Sequence, residues 1–522
     1  MDNDSAHHAN IALHMYLTGN YVDLVDYGKD YLDKPHLHFW SAAFSYKIFG
    51  VTGFAYKLPS FLFTILGTYS VFRLGRSLYS RETGRLAALL VASSFSYILA
   101  NNDVRMDAIL TSCIALATWQ LVDLVQHKKL INVAGAALGL ALGFSTKGHI
   151  AVFTPAVAVF FYILYRKEWK IFFSWRWLLL ALLFFLFISP VVYCYYLQYN
   201  LHPEKIVRGK DHINGVNFIL FNQSVERFGG GMGSSGKNDY FFFIHSFLWA
   251  FAPWSIIAYI AFYLRLKNFF ARKDEWLTTG VLATMLVIIS FSGFKLPHYL
   301  NITFPAAGVM AASYILKISA DKKLNKIIFT IQLILSILLL LGAAAINIWA
   351  FPVHSPWILT GVILLLAVVF YFYRSRIFNS LQKAVLIPLS TVVLIFFLLN
   401  TNFYPSLLKY QGGNELAFGT RDKLNPENVY FWNEHYSSSY NFYTATLRKP
   451  FTDSALHMGH PVWLLAGERD MDSIREAGYI LGNSFEATDY EITRLKLKFI
   501  DPAKRNAVCT RMILMQVLGK AE

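Results

Sequence analysis

Residues 176–198, RWLLLALLFFLFISPVVYCYYLQ, decide the class of fold. The run has one charged residue, at its first position, and is as long as one helical crossing of a bilayer. Other apolar runs lie near 54–72, 86–101, 106–126, 131–146, 149–165, 240–264, 277–293, 297–317, 326–350, 356–373 and 384–400. We therefore predict a mainly α, polytopic membrane bundle of roughly twelve helices, at about 20 apolar residues per crossing.

The composition agrees with a chain that is solvated mostly by lipid. Hydrophobic residues make up 55% of the 522 residues and charged residues only 15%, more apolar than a soluble core requires. The net charge of +15 does not indicate a nucleic-acid partner, because the basic residues lie in short loops between apolar runs. The three cysteines form no evident disulfide framework.

The loops between the runs alternate in charge, which predicts their orientation. Lys and Arg collect in cytoplasmic loops, and here they collect in every second loop: 73–85, 127–129, 166–176, 265–273, 322–326 and 374–383. The remaining segments are predicted to face outward: the N-terminal segment, 102–107, 147–149, 199–239, 294–298, 351–357 and everything after 400. We expect a multi-pass protein of the cell inner membrane with these segments in the periplasm.

The chain also divides by composition into three predicted parts. Residues 1–53 form a first outer loop with interfacial helices, and residues 54–400 form the transmembrane domain. Residues 401–522 are polar and mixed, with strand-like runs at 429–432 and 462–465 and a helical stretch at 469–477. This pattern predicts a small soluble α/β domain on the outer side.

Two acidic motifs lie in the predicted outer segments, where ionisable groups beside a bilayer indicate function. Asp4 precedes an apolar helical side, which also suits an ordinary helix cap. Arg105 and Asp107 directly precede an apolar helix, although capping and a local ion pair would explain two of the charges in 103–107.

The cationic motifs lie in the same segments. Asp33 and Lys34 stand before Pro35, which we expect to open a helix at its first turn. Lys34 suits a lipid-linked phosphate, and the alternative is an interfacial lysine paired with Asp33. The other cationic residues are Lys147, Arg227, Lys295 and His298, the last followed by Tyr299.

Two patterns are not interpreted as sites. The glycine-rich run 229–236 follows no strand and precedes no Lys-Ser or Lys-Thr, so it is not a phosphate-binding loop. His7 and His8 are adjacent on a helix, where side chains do not face each other, and we expect exposed interfacial histidines rather than metal ligands.

Acids and cations on one outer face suit transfer of a sugar from a phosphate. A carboxylate accepts the proton of an attacking hydroxyl, while Lys and Arg stabilise the departing phosphate. Because nucleotide sugars are absent outside the cytoplasm, the donor would be lipid-linked.

The motifs, in their order, resemble the bacterial aminoarabinose transferase and protein mannosyltransferase group of C-type glycosyltransferases. They are Asp4 with Ala9-Asn10-Ile11, Asp33-Lys34-Pro35, Arg105-Met106-Asp107, Thr146-Lys147-Gly148, Glu226-Arg227-Phe228 and Lys295-Leu296-Pro297-His298-Tyr299. The resemblance implies the C-type glycosyltransferase fold and a polyprenyl-phosphate sugar donor. It covers roughly the first 300 residues, and the later helices and outer domain match the aminoarabinose transferase plan.

The resemblance also implies roles for individual residues. Asp4 matches the catalytic carboxylate and Asp107 a second functional acid. Lys34 and Arg227 match positions that bind the carrier phosphate. Lys295 belongs to the signature of the aminoarabinose branch and is expected to bind the same phosphate. Supporting or substrate-binding roles fall to Asp33, Arg105, Lys147, His298 and Tyr299.

This chain departs from the family pattern near its first acid. The family commonly has Glu after that acid and Arg-Tyr before Ala-x-Ile, where this chain has Ser5 and His7-His8. These differences leave the sugar and the acceptor undecided. The family also has a transmembrane helix before its first acid, so we expect one upstream of Met1.

The sequence leaves other functions open. A protein O-glycosyltransferase of the same fold, a lipid or glycan transporter, and a non-catalytic assembly factor are the alternatives to transfer onto a lipid or glycan. No cofactor is required by the pattern, although acids beside a phosphate would also suit a divalent metal ion. The expected partners are the lipid-linked donor, a lipid, glycan or protein acceptor, and membrane lipids.

Overall fold

The computed structural model describes residues 3–223, 226, 239–433 and 435–521. Arg227 and the glycine-rich run, both named above, lie outside the described residues. The chain is mainly helical and folds as a membrane bundle followed by a small α/β domain, as predicted.

The N-terminal part consists of two helices joined by a hairpin. Helix α1 spans Asn3–Thr18 and helix α2 spans Leu37–Phe49, with strands β1 (Val25–Asp26) and β2 (Lys29–Asp30) between them. Pro35 was expected to open α2, but the helix begins two residues later, at Leu37. His36 is the N-cap of this helix, so Pro35 precedes the cap and lies outside the first turn.

The helices of the bundle occupy the predicted apolar runs. They are α3 (Gly53–Leu78), α4 (Arg81–Ala92), α5 (Phe95–Asn102), α6 (Met106–His127), α7 (Leu130–Lys147), α8 (Ile150–Arg166), α9 (Trp175–Tyr195), α10 (Phe242–Ala250), α11 (Ser255–Lys267), α12 (Leu277–Ser290), α13 (Phe304–Lys317), α14 (Lys322–Ala344), α15 (Pro356–Arg374) and α16 (Ser380–Leu398). A 3-10 turn, Pro297–Thr303, leads into α13.

Seven helical segments of the described chain are long and apolar enough to cross a membrane. An eighth crossing results if α4 and α5, which meet at a bend of 55°, are taken together. Two predicted runs form the shorter apolar helices α8 and α12, and the run 240–264 is divided between α10 and α11. The count of roughly twelve crossings therefore stays a prediction.

Helix α6 lies at the centre of the bundle and is buried over most of its length. Gly67 of α3 allows close approach, because a Cβ at this position would lie 2.4 Å from Oγ of Ser112. Gly148 has a φ of 75° and turns the chain between α7 and α8. Lys147, the last residue of α7, therefore lies beside the start of α8.

The C-terminal part confirms the predicted α/β organisation. Its sheet has the order β3-β4-β6-β5, with β3 (Val429–Phe431), β4 (Val462–Gly467), β5 (Tyr479–Asp489) and β6 (Thr510–Lys520). Strands β3 and β4 are parallel and the other pairs are antiparallel. Helices α17 (Gly412–Thr420), α18 (Ser438–Thr444) and α19 (Met471–Glu476) surround the sheet.

Helix α18 packs directly against the N-terminal helices. The side-chain amide of Asn441 donates a 3.1 Å hydrogen bond to Oδ1 of Asn10, and both residues are buried. Phe442 packs in one apolar cluster with residues of α1 and α2, and the rings of Tyr27 and Tyr436 stack at 4.2 Å. The N-terminal helices and the C-terminal domain therefore pack together as one unit.

We expect Asn441→Leu to destabilise this junction. The substitution leaves Oδ1 of Asn10 buried without that donor, which costs about 1–3 kcal/mol. Thermal unfolding of the purified protein should shift downward, while Asn483→Leu, at an exposed position of β5, should stay within about 0.5 kcal/mol of the parent. Equal shifts for the two variants would contradict the junction.

Candidate active site

The predicted outer segments meet at a cavity of about 920 Å³. Its walls come from α1, the segment before α2, the turn between α5 and α6, the turn between α7 and α8, and the segment around Pro297. Of the predicted site residues, the cavity is lined by Asp4, Asp33, Lys34, Arg105, Asp107, Lys147, His298 and Tyr299. Segments far apart in sequence thus contribute charged side chains to one space.

The floor of the cavity holds a buried ion pair. Nζ of Lys147 lies 2.7 Å from Oδ1 of Asp107, and the two side chains are 9% and 4% exposed. Asp107 stands in the first turn of α6 and Lys147 in the last turn of α7, where a carboxylate and an ammonium each complement the helix dipole. The pair therefore fixes the start of α6 against the end of α7.

Other polar groups extend this pair into a network. Nε2 of His298 lies 3.7 Å from Oδ2 of Asp107, and Nδ1 of His298 lies 3.2 Å from Nη1 of Arg105. The ammonium of Lys147 also stands 4.6 Å from the centre of the Tyr299 ring. The 3-10 turn that carries His298 and Tyr299 is thereby joined to the start of α6 and the end of α7.

Lys34 and Asp33 line another wall with a residue that sequence analysis did not single out. The carboxylate of Asp33 pairs with the guanidinium of Arg208, whose Nη1 lies 3.2 Å from Oε2 of Glu226. Arg208 also lines the cavity. In the sequence, Arg208 is marked by its position in the long loop 199–239. This loop has several basic residues and no pattern that distinguishes Arg208 from the others.

Asp4 lies in the first turn of α1 and its side chain is exposed to the cavity. Residues three or four positions apart share one face of a helix, so His7 and His8 stand beside it. The prediction that these histidines are exposed and interfacial is wrong. Both are partly buried and line the cavity, because the hairpin and α2 cover this side of α1.

The two histidines differ in their surroundings. His7 contacts the carboxylate of Asp26, whereas the ring of His8 packs against those of His38 and Phe39. Burial, with nearby His38, His7, Lys34 and Lys147, lowers the pKa of His8 well below its usual value. His8 is therefore neutral within a largely cationic wall.

Lys295 is the one described candidate that the structure places away from the cavity. It is 2% exposed, and its ammonium donates a 2.8 Å hydrogen bond to the carbonyl oxygen of Asp239. Its neighbours Phe294 and Leu296 line the cavity instead, because successive side chains of an extended segment point to opposite sides.

The described part of the chain contains no group of three or more His, Cys, Asp or Glu side chains arranged to hold a metal ion. The cavity contains the exposed carboxylate of Asp4, the carboxylate of Asp107 held by Lys147, and further cationic side chains around them. This arrangement suits a ligand that combines a phosphate with hydroxyl groups.

Comparison with known proteins agrees with this arrangement. Residues 33–194 match the family model described as dolichyl-phosphate-mannose-protein mannosyltransferase. An undecaprenyl phosphate-alpha-4-amino-4-deoxy-L-arabinose arabinosyl transferase of Edwardsiella ictaluri is 23% identical over 69% of this chain and 62% of its own length. A protein of Aquifex aeolicus is 24% identical over 62% of this chain and 61% of its own length. The chain thus spans less than two thirds of these relatives.

A solved structure shares the fold over nearly the whole chain. The structure of ArnT from Cupriavidus metallidurans bound to undecaprenyl phosphate is 15% identical, with a TM-score of 0.72 over 98% of this chain and 93% of that one. The chain therefore has the fold of that structure, and the match of residues 33–194 to the mannosyltransferase family model agrees with the resemblance that the ordered motifs carry.

We expect Lys147→Met to be strongly destabilising. Removing one member of a buried ion pair leaves the charge of Asp107 without its closest partner, at a cost of about 3–5 kcal/mol. The double variant Asp107→Asn with Lys147→Met removes both charges and should be more stable than the single variant. Thermal unfolding in detergent measures both, and a double variant that is less stable than Lys147→Met would contradict the pairing.

The histidines of α2 predict a loss of stability in acid. Burial lowers the pKa of both His36 and His38 to about 4. Because the folded pKa lies below the ordinary value of 6.5, the unfolded chain takes up protons first, and stability present above pH 6.5 is lost as the pH falls towards 4.

The melting temperature of the protein, measured between pH 7.5 and about 4.5, tests this pH dependence. The parent should melt several degrees lower at the acid end. His38→Gln should lose less stability over the same interval, whereas His457→Gln, at an exposed position, should follow the parent. An identical pH dependence for His38→Gln and the parent would contradict the role of burial.

Proposed function

We propose that the protein is an integral membrane glycosyltransferase that moves a sugar from a polyprenyl-phosphate carrier to a lipid or glycan acceptor on the periplasmic face of the inner membrane. The observation that carries this proposal is the cavity in which Asp4, Lys34 and the Asp107–Lys147 pair come together. The named activities of the relatives support the choice of donor.

Asp4 is proposed as the catalytic base. Its carboxylate is open to the cavity and can accept the proton of an acceptor hydroxyl. The hydroxyl oxygen then forms a bond to the anomeric carbon, and the bond from that carbon to the phosphate oxygen breaks. Attack on the side opposite the phosphate inverts the anomeric configuration.

The departing phosphate takes the electron pair of the broken bond, and cations stabilise the charge that develops. Lys34 and Arg227 are the proposed phosphate ligands, of which Lys34 lines the cavity and Arg227 lies outside the described residues. Asp107 is proposed to act from its fixed position beside Lys147 and His298. Lys295 was expected to bind the same phosphate, and its bond to the Asp239 carbonyl supports a structural role instead.

The orientation rests on the loop charges. The cavity is built from segments without the basic excess, and the basic loops lie in other connections of the bundle. Lys and Arg collect on the cytoplasmic side of such bundles, so the cavity is assigned to the periplasm. There the donor would be lipid-linked rather than a nucleotide sugar.

Transfer should depend on Asp4 and Lys34. Membranes containing the full chain would receive radiolabelled undecaprenyl-phosphate sugars, starting with 4-amino-4-deoxy-L-arabinose, and the label would be followed into lipid, glycan and protein. Asp4→Asn should lower the transfer rate by about 10²–10⁴, and Lys34→Ala should lower it by about 10²–10³.

Two matched controls lie in the same N-terminal segment. Asp23→Asn and Lys29→Ala change the same types of side chain at positions that do not line the cavity, and both should retain activity. Label in protein rather than lipid or glycan would favour a protein O-glycosyltransferase. Transfer that persists in Asp4→Asn and Lys34→Ala would contradict the proposed roles of these residues.

A further inference from the structure

His7 lies on α1, one turn after Asp4, and lines the cavity. A histidine side chain can accept a hydrogen bond as well as donate one. The contacts of His7 decide which of its two ring nitrogens can meet a ligand.

Asp26 holds the imidazole in one orientation. Nδ1 of His7 lies 3.1 Å from Oδ2 of Asp26, a residue of the short hairpin strand β1. A carboxylate oxygen accepts, so Nδ1 of His7 donates its proton to Oδ2 of Asp26. In the neutral form of the ring, the lone pair is therefore on Nε2.

A chain of hydrogen bonds fixes Asp26 in turn. The side-chain amide of Asn10 donates a 3.1 Å bond to Oδ1 of Asp26, and Asn441 donates a 3.1 Å bond to Oδ1 of Asn10. Asn10 and Asn441 are 1% and 2% exposed. Helix α18 of the C-terminal domain is therefore connected to His7 through two buried amides and a carboxylate.

His7 also lines the cavity, beside Asp4, which stands three residues earlier on the same face of α1. The rings of His7 and Tyr31, another residue of the cavity wall, pack edge to face at 5.3 Å. With Nδ1 engaged by Asp26, Nε2 is the nitrogen left for a ligand.

We infer that His7 is a further substrate-binding residue, and that its Nε2 accepts a hydrogen bond from a hydroxyl group of the transferred sugar or of the acceptor. This inference rests on the proposed function. Asp26 acts through His7 and is a positioning residue.

The isosteric variants of histidine distinguish the two ring nitrogens. Asn places its amide near the position of Nδ1 and can keep the bond to Asp26, while Gln places its amide near the position of Nε2. We expect His7→Asn to raise the KM for one substrate about tenfold, the loss of one hydrogen bond, with little change in kcat. His7→Gln should raise the same KM only about twofold.

The assay uses purified full-length protein in nanodiscs, with undecaprenyl-phosphate 4-amino-4-deoxy-L-arabinose as donor and lipid A as acceptor. The KM of each is measured with the other saturating. A raised donor KM assigns the hydroxyl to the sugar, and a raised acceptor KM assigns it to the acceptor. The double variant His7→Asn with Asp26→Asn should lose no more than His7→Asn, because Asp26 acts through His7.

Asp23→Asn is the control, since Asp23 lies in the same segment, bonds to Asn20 and does not line the cavity. If the parent transfers sugar and His7→Asn has the KM values of Asp23→Asn, the inference alone is wrong. If the effects of His7→Asn and Asp26→Asn are additive, Asp26 does not position His7. If the parent transfers no sugar from this donor, the proposed function fails, and the inference falls with it.

Discussion

The Asp107–Lys147 ion pair is the interaction on which the cavity depends. Two unlike charges at 2.7 Å in a poorly solvated setting hold the start of α6 against the end of α7. His298 and Tyr299 contact the same pair, so the turn before α13 is fixed as well. A buried ion pair contributes little net stability. Its role here is to hold in place two charged side chains whose burial beside a bilayer would be costly for either one alone.

A second set of contacts completes the wall of the cavity that α1 forms. Helix α1 carries Asp4 and His7 and is held between α2 and helix α18 of the C-terminal domain. At least one polar connection, from Asn441 to Asn10, is buried within this apolar contact. The C-terminal domain thus supports the site from behind α1, although its described residues are not among those that line the cavity.

Much of this arrangement follows from sequence because charge and hydropathy patterns report it directly. Apolar runs predicted the helices, and the polar residues at their outer ends predicted that Asp107 and Lys147 share a face. Sequence could not predict the contact of His7 with Asp26, because the two-residue strand of Asp26 has no periodicity. Nor could it show that Lys295 points away from the cavity, since that depends on the direction of one residue in an extended segment.

The proposed function requires that the cavity binds the phosphate of a polyprenyl carrier beside Asp4. A cryo-EM structure of the full chain in nanodiscs with undecaprenyl phosphate would show where the phosphate lies. We predict that the phosphate lies within hydrogen-bond distance of Nζ of Lys34, in the space shared by Asp4 and the Asp107–Lys147 pair. A phosphate bound elsewhere, such as at the buried Arg265–Glu275 pair, would contradict the account.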